Sequence, residues 1–171
     1  MNNNKYKRLI LLLLLIAVVS TAVALWALFF RNDIEIIAPD RVPAVDNNAE
    51  DIPGDNSEKS DAPAGGGSVN LTFSKDVTIN LSDKSVGLYF ASPNKSTHDI
   101  VLQIVVEDTV IAQSGTIAPG NQVKELELME NADKILSKGG YDGKFLVHFY
   151  DKSNGNKDDV NTEIPINIEV K

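Results

Sequence analysis

The sequence VNTEIPINIEV, from Val160 to Val170, is the last of two strands that carry the clearest secondary-structure pattern of the C-terminal domain. Apolar and polar side chains alternate along it, which is the period of a β-strand that buries one face. The predicted inward positions are Val160, Thr162, Ile164, Ile166, Ile168 and Val170. Pro165 has no amide donor, so the strand needs a bulge or an unpaired edge at that point.

Similar short strands precede this one. Phe145, Val147 and Phe149 alternate with Leu146, His148 and Tyr150, and a polar turn at Asp151 to Asp159 follows. Six earlier stretches have strand patterns, at residues 69–73, 77–81, 86–90, 100–106, 109–113 and 123–128. Seven to eight strands over residues 69–171 predict an all-β fold, an antiparallel sandwich of immunoglobulin-like type. A small barrel is the alternative.

Two local features refine this picture. Tyr141 stands at the start of the penultimate strand, where immunoglobulin-like domains place a tyrosine corner. Residues 131–136 (NADKIL) predict one helical turn capped by Asn131 and stopped by Gly139 and Gly140.

The N-terminal part of the chain has a different composition. Leu9 to Phe30 is a run of 22 uncharged residues, which as a helix is about 33 Å long and matches a bilayer core of about 30 Å. Lys5, Lys7 and Arg8 precede the run, so the positive-inside rule places residues 1–8 in the cytoplasm and the C-terminal domain outside the cell. The run is thus predicted to be a transmembrane signal anchor of a single-pass protein. The alternative is a signal peptide cleaved after Ala24.

Composition limits the partners of the exported part. Residues 31–68 are rich in Pro, Gly, Asn, Asp and Ser and predict a disordered acidic linker. The net charge of −8 argues against nucleic-acid binding, which needs clustered Lys and Arg. The chain has no Cys, so disulfides and thiolate metal sites are excluded.

Catalytic chemistry is not evident. His98 and His148 have no ligand spacing for a metal and are expected to face solvent. The Asp151 to Asp159 loop is rich in oxygen ligands, but its glycine is out of register for an EF-hand, so a plain hairpin loop is expected. We therefore expect no catalytic residues, no metal, no cofactor, no small-molecule substrate and no enzymatic activity.

One surface is a candidate for binding. In an immunoglobulin-like sandwich the fourth and penultimate strands are neighbours, and their outward residues form an apolar face. Its members are Val101, Gln103, Val105, Leu146, His148 and Tyr150. The hypothesis is that this face docks a second copy or another envelope protein. The alternative is that the linker or an added strand covers it.

Four segments carry a resemblance to a known group: Tyr89 to Asn94, Val110 to Gly120, Lys138 to Tyr141 and Asn161 to Ile168. In these the chain resembles the small single-pass surface domains of Gram-positive bacteria. The resemblance implies an extracellular, non-catalytic interaction or assembly module, an accessory part of a larger surface or secretion complex. It transfers no site residues. A module that binds cell-wall polymer or carbohydrate is the alternative, with Tyr89 and Tyr150 as the candidate aromatic contacts.

Overall fold

The structure is a computed structural model that describes residues 3–30, 37–59, 67–130 and 132–171. It divides into two units, Met1–Ile34 and Glu35–Lys171. In the first unit the structure describes helix α1, Asn3–Phe30. Among the residues whose side chains are described, no helix combines the length and the apolar character needed to cross a membrane. The span predicted over Leu9 to Phe30 is therefore not found, and side chains 23–30, which form its second part, lie outside the description.

The second unit is all-β, apart from one short helix. Its elements are β1 Glu50–Asp51, β2 Thr72–Phe73, β3 Asp76–Asn80, β4 Ser85–Ser92, β5 His98–Val106, β6 Thr109–Gln113, β7 Asn121–Glu127, α2 Ala132–Ile135, β8 Gly139–Asp151 and β9 Lys157–Val170. The predicted all-β class is confirmed. The described residues form nine strands, however, where the sequence predicts seven to eight. The extra strand is β1, which has only two residues and therefore no periodic pattern, while the strand predicted over residues 69–73 is shortened to the two residues of β2.

Hydrogen bonds join the nine strands into one curled sheet in the order β1-β7-β4-β3-β9-β8-β5-β6, with β2 paired to β4. Strand β3 is the junction, since it pairs antiparallel with β4 and parallel with the end of β9. The expectation of a purely antiparallel sheet is wrong at this one pair. A strand shared between two neighbours can be antiparallel to one and parallel to the other when those neighbours run in opposite directions.

The curl of the sheet encloses the core. Phe90 on β4 and Phe145 on β8 are not on paired strands, yet their rings meet edge to face at a centroid distance of 5.4 Å. Phe73 stacks on Phe90 at 6.1 Å. Aromatic contacts across the core fix how the two halves of the sheet face each other, because such pairs prefer offset or edge-on geometry.

Strand β9 follows its predicted pattern only in part. Ile164, Ile166, Ile168 and Val170 are buried, but Val160 is 68% exposed. The register with β8 shifts between His148 and Tyr150, so the first residues of β9 do not continue the inward parity. Pro165 pairs with Lys144 of β8, and on its other side β3 pairs only with residues 167–170. Of the two alternatives predicted at Pro165, a bulge or an unpaired edge, the described strands show the unpaired edge.

The local predictions around β8 are also confirmed. The Tyr141 hydroxyl donates to the Ser137 carbonyl at 3.1 Å and accepts from the Ser137 amide at 2.9 Å, which is the hydrogen bonding of a tyrosine corner. Helix α2 is the expected single turn. Its predicted cap, Asn131, lies outside the described residues.

Residues 37–59 form an ordered segment that we call the strap. Its backbone bonds to three parts of the sheet: Val42 N to Gly155 O at 2.8 Å, Asp46 N to Thr116 O at 3.0 Å and Ile52 N to Gly120 O at 2.8 Å. This differs from the disordered linker expected over residues 31–68. Backbone groups of the strap form hydrogen bonds with residues that are distant in sequence. Such bonds order a segment without any periodic pattern of apolar side chains. Residues 31–36 and 60–66 lie outside the description.

Candidate functional site

The six residues of the predicted docking face lie together. Strands β5 and β8 are antiparallel neighbours, with Val101 opposite His148 and Gln103 opposite Leu146. The predicted neighbourhood of these two strands is confirmed. Their inward-facing partners, such as Ile104 opposite Phe145, belong to the core, so the six residues occupy the outer face of the sheet.

This outer face is not open to solvent. Five of its members are buried, with relative exposures of 0% for Val101, 1% for Gln103, 6% for Val105, 8% for His148 and 0% for Tyr150. Leu146 is half-buried. The face therefore does not offer the free apolar surface that partner docking was expected to use.

The strap meets the outer face at its Tyr150 end. The Tyr150 hydroxyl donates to the Pro39 carbonyl at 2.7 Å, and the Lys157 ammonium donates to the Ala38 carbonyl at 3.3 Å. The Lys157 amide donates to the Asp40 carbonyl at 2.9 Å. Ala38 is itself only 2% exposed. The protein's own chain thus occupies this end of the face.

A row of polar side chains crosses the same face. The Gln103 amide nitrogen donates to Gln113 Oε1 at 2.7 Å, and Gln103 Oε1 lies 3.0 Å from His148 Nε2. Burial lowers the pKa of His148, and the positive charge of Lys157 lowers it further. The expectation that His148 faces solvent is wrong, because its position on β8 places it on the covered face.

A second group of charges lies where β5 begins and β8 ends. His98 Nε2 is 3.4 Å from Asp158 Oδ2, and its Nδ1 is 2.9 Å from the Thr97 hydroxyl. Burial raises the pKa of Asp99, while the charges of Lys152 and His98 oppose that shift. Asp99 Oδ1 is buried and makes no hydrogen bond. An ionised carboxylate in this position is poorly stabilised.

The Asp151 to Asp159 loop uses its oxygens internally. Asp151 Oδ1 accepts from the Ser153 amide at 2.7 Å and from the Ser153 hydroxyl at 2.6 Å, and these bonds lower the pKa of Asp151. Asn154 Oδ1 accepts from the Asn156 amide at 2.8 Å. Within the described ranges, no three His, Cys, Asp or Glu side chains are grouped in a way that could hold a metal ion.

The two aromatic residues considered for carbohydrate binding differ in exposure. Tyr150 is fully buried and hydrogen-bonded to the strap, and Tyr89 is half-buried on β4. Carbohydrate recognition by stacking requires an exposed aromatic ring. Tyr150 does not meet that requirement, and Tyr89 meets it only in part.

The sequence pattern did not indicate the residues that hold the strap. Asp46 Oδ2 accepts from the Gly115 amide at 2.6 Å, and Thr116 donates its hydroxyl to the Pro43 carbonyl at 2.6 Å. The only local feature that marks Asp46 is an Asx turn, in which the Asn48 amide donates to Asp46 Oδ1 at 2.8 Å. Such a turn is common in loops and does not predict a long-range contact.

The fold and the covered outer face of β5 and β8 define the class of protein. It is an all-β domain whose outer face is partly covered by its own strap. No protein-family model and no curated protein matches the sequence. The solved structures to which the chain is similar include AggA, the major subunit of aggregative adherence fimbriae type I from Escherichia coli, at 11% identity and a TM-score of 0.31, covering 67% of this chain and 100% of that chain. Another is the CooA pilin subunit from enterotoxigenic Escherichia coli, at 12% identity and a TM-score of 0.24, covering 60% and 98%. Similarity at this level carries no argument about function.

Proposed function

We propose that this protein is a non-catalytic interaction or assembly module of the cell surface, attached to the membrane through Leu9 to Phe30. The observation that carries the proposal is the exposure of helix α1. Every side chain described from Ile10 to Ala22 is exposed, and apolar members such as Leu11 and Leu14 are 72% and 62% exposed. A contiguous apolar surface of this kind is unfavourable in water and marks a contact with lipid or with another apolar surface.

The β unit is the part that would be displayed. We infer that it is an immunoglobulin-like sandwich, of the kind found in small surface domains of Gram-positive bacteria. Support comes from strand β3, which joins β4 to β9, and from the hydrogen bonds of Tyr141 to Ser137. Some of the described charged groups form pairs within the fold, such as Lys144 with Glu163 at 3.1 Å. The natural partner is another envelope protein or a second copy.

Membrane attachment is tested by fractionation of cells that make the full chain. We expect the protein to stay in the membrane fraction after washing with alkaline carbonate, and proteases added outside intact cells to degrade the β unit. Leu14→Lys with Ile16→Lys places two charges inside the apolar run and should move the protein to the soluble fraction, because each costs about 2.5 kcal/mol or more at the centre of a bilayer. Asn3→Lys with Asn4→Lys, which adds the same two charges outside the run, is the matched control.

The outcome separates the parts of the proposal. Release of the unmodified chain by carbonate contradicts attachment, and protection of the β unit in intact cells contradicts surface display. The assembly role is tested by in-cell crosslinking, which should recover the chain bound to a second copy or to an envelope protein. Recovery of the uncrosslinked chain alone, under conditions that crosslink a known envelope complex, argues against that role.

A further inference from the structure

We propose that His148 is a pH-sensitive latch for the first residues of the strap, so that protonation of its imidazole releases residues 37–40 from the outer face of the sheet. The hydrogen-bonded row fixes the tautomer of the neutral imidazole. Since the Gln103 amide nitrogen donates to Gln113, its oxygen is the acceptor that faces His148 Nε2. The imidazole therefore carries its proton on Nε2, and a second proton has to be added at Nδ1.

The Lys157 ammonium interacts with both the strap and the His148 imidazole. Lys157 holds the strap through its bond to the Ala38 carbonyl, and its charge acts unfavourably on a protonated His148. His148 and Tyr150 lie two residues apart on the same outer face of β8, and Tyr150 holds the adjacent Pro39 carbonyl. A protonated His148 is therefore repelled by Lys157, the same residue whose ammonium binds the strap.

Other charged groups surround this end of the face. They include two groups on β5, Asp99 and His98, and Asp40 in the strap. The others belong to the end of β8 and the residues that follow it: Asp151, Lys152 and Asp158. Asp40 acts on Tyr150, whose pKa burial and Asp40 together raise. The charge of Asp99 is itself disfavoured by burial. Lys157 is therefore the charge that dominates at the imidazole, and its sign favours the neutral form.

In this proposal, release of the strap from Tyr150 and Lys157 admits water to the same end of the face, and the pKa of His148 returns towards its ordinary value of 6.5. His148 then binds a proton more tightly in the open form than in the closed form, so falling pH favours opening. For a group that titrates at about 6.5 only in the open form, the opening equilibrium rises by up to about tenfold between pH 7.5 and pH 5.5.

The chain contains no cysteine, which allows a direct test. Ala38→Cys puts a single thiol at a buried strap position, and Ile37→Cys puts one at a neighbouring position that is 69% exposed. The full chain in detergent is labelled with a pyridyl disulfide reagent between pH 7.5 and pH 5.5. The ratio of the two labelling rates removes the intrinsic pH dependence of the thiol. We expect labelling at position 38, relative to position 37, to increase by up to about tenfold.

Three further variants decide the cause. With His148→Gln, which stays neutral, the increase should disappear, whereas His98→Gln should preserve it. Ala112→Cys reports on the core, where the native side chain is fully buried. An increase that survives in His148→Gln overturns the latch. A constant ratio in the native background, or equal exposure of positions 112 and 38, which indicates global unfolding, overturns it as well.

Discussion

The hydroxyl of Tyr150 donates a 2.7 Å hydrogen bond to the carbonyl oxygen of Pro39, 111 residues earlier in the chain. This bond joins strand β8 to the strap and closes the outer face at one end. The folded domain consequently includes residues well before the first periodic strand. Its stability should respond to substitutions that loosen the strap.

Tyr150→Phe is expected to lower the free energy of unfolding by about 1 kcal/mol, because it removes one hydrogen bond and leaves the Pro39 carbonyl without its buried donor. Chemical denaturation measures the difference. Tyr89→Phe is the matched control, since the Tyr89 side chain is half-buried on β4. Equal effects of the two substitutions would show that the hydroxyl of Tyr150 contributes no specific bond.

Gly115→Ala should destabilise the domain by about 1–3 kcal/mol. A Cβ at this position would meet the Ala44 carbonyl oxygen at 2.7 Å and Asp46 backbone atoms at 2.8 Å, so the strap has to move away. Gly140→Ala is the control, because a Cβ there meets no atom within 4 Å. Thermal denaturation of both variants compares them. If Gly115→Ala melts together with Gly140→Ala, the strap does not pack on Gly115.

Asp99→Asn should stabilise the domain at neutral pH. Burial raises the pKa of Asp99 above its ordinary value of 3.8, so the folded state holds this proton more tightly than the unfolded state does. The native carboxyl therefore loses stability as pH rises through 3.8 towards the folded pKa, and the amide does not. Denaturation at pH 7 and pH 3 should show the gain only at pH 7. Asp142→Asn, at an exposed site, should show no such difference.

The β5–β6 hairpin turns through Glu107 and Asp108, which have φ values of 47° and 63°. Both residues of a type I′ turn need positive φ, and Asn followed by Gly is the preferred pair. Glu107→Asn with Asp108→Gly is expected to raise stability by about 0.5–1 kcal/mol. Asp108→Ala should do the opposite, because alanine tolerates positive φ less well than aspartate. Stabilisation by Asp108→Ala in the same denaturation assay would contradict the turn assignment.

Much of the β unit could be predicted because its strands bury one face. Ile164, Ile166 and Ile168 alternate with polar residues, and this pattern in the sequence indicates which face is buried. The tyrosine corner at Tyr141 is likewise indicated by nearby residues. The parallel pairing of β3 with β9 could not be predicted. It joins residues that are about ninety positions apart, and the period of a strand is the same whichever neighbour it pairs with.

The sequence predicted which residues of the candidate site share one face of the sheet. It did not predict that these residues are buried. The side-chain parity of Val101 and His148 correctly placed them on one outer face. Their burial depends on the strap and on neighbouring strands, and the composition of the strap is typical of disordered linkers. A segment rich in Pro and Asp can still be ordered when distant edges satisfy its backbone, as Thr116 does for Ala44 and Asp46.

Amide hydrogen exchange of the full chain tests most directly whether the strap belongs to the folded domain. The amides of Val42, Asp46 and Ile52 donate to the carbonyls of Gly155, Thr116 and Gly120. We predict that these three amides exchange at least about a hundredfold more slowly at neutral pH than in an unstructured peptide, as hydrogen-bonded amides of a folded unit do. Exchange at the unprotected rate, with β8 and β9 protected, would contradict the account.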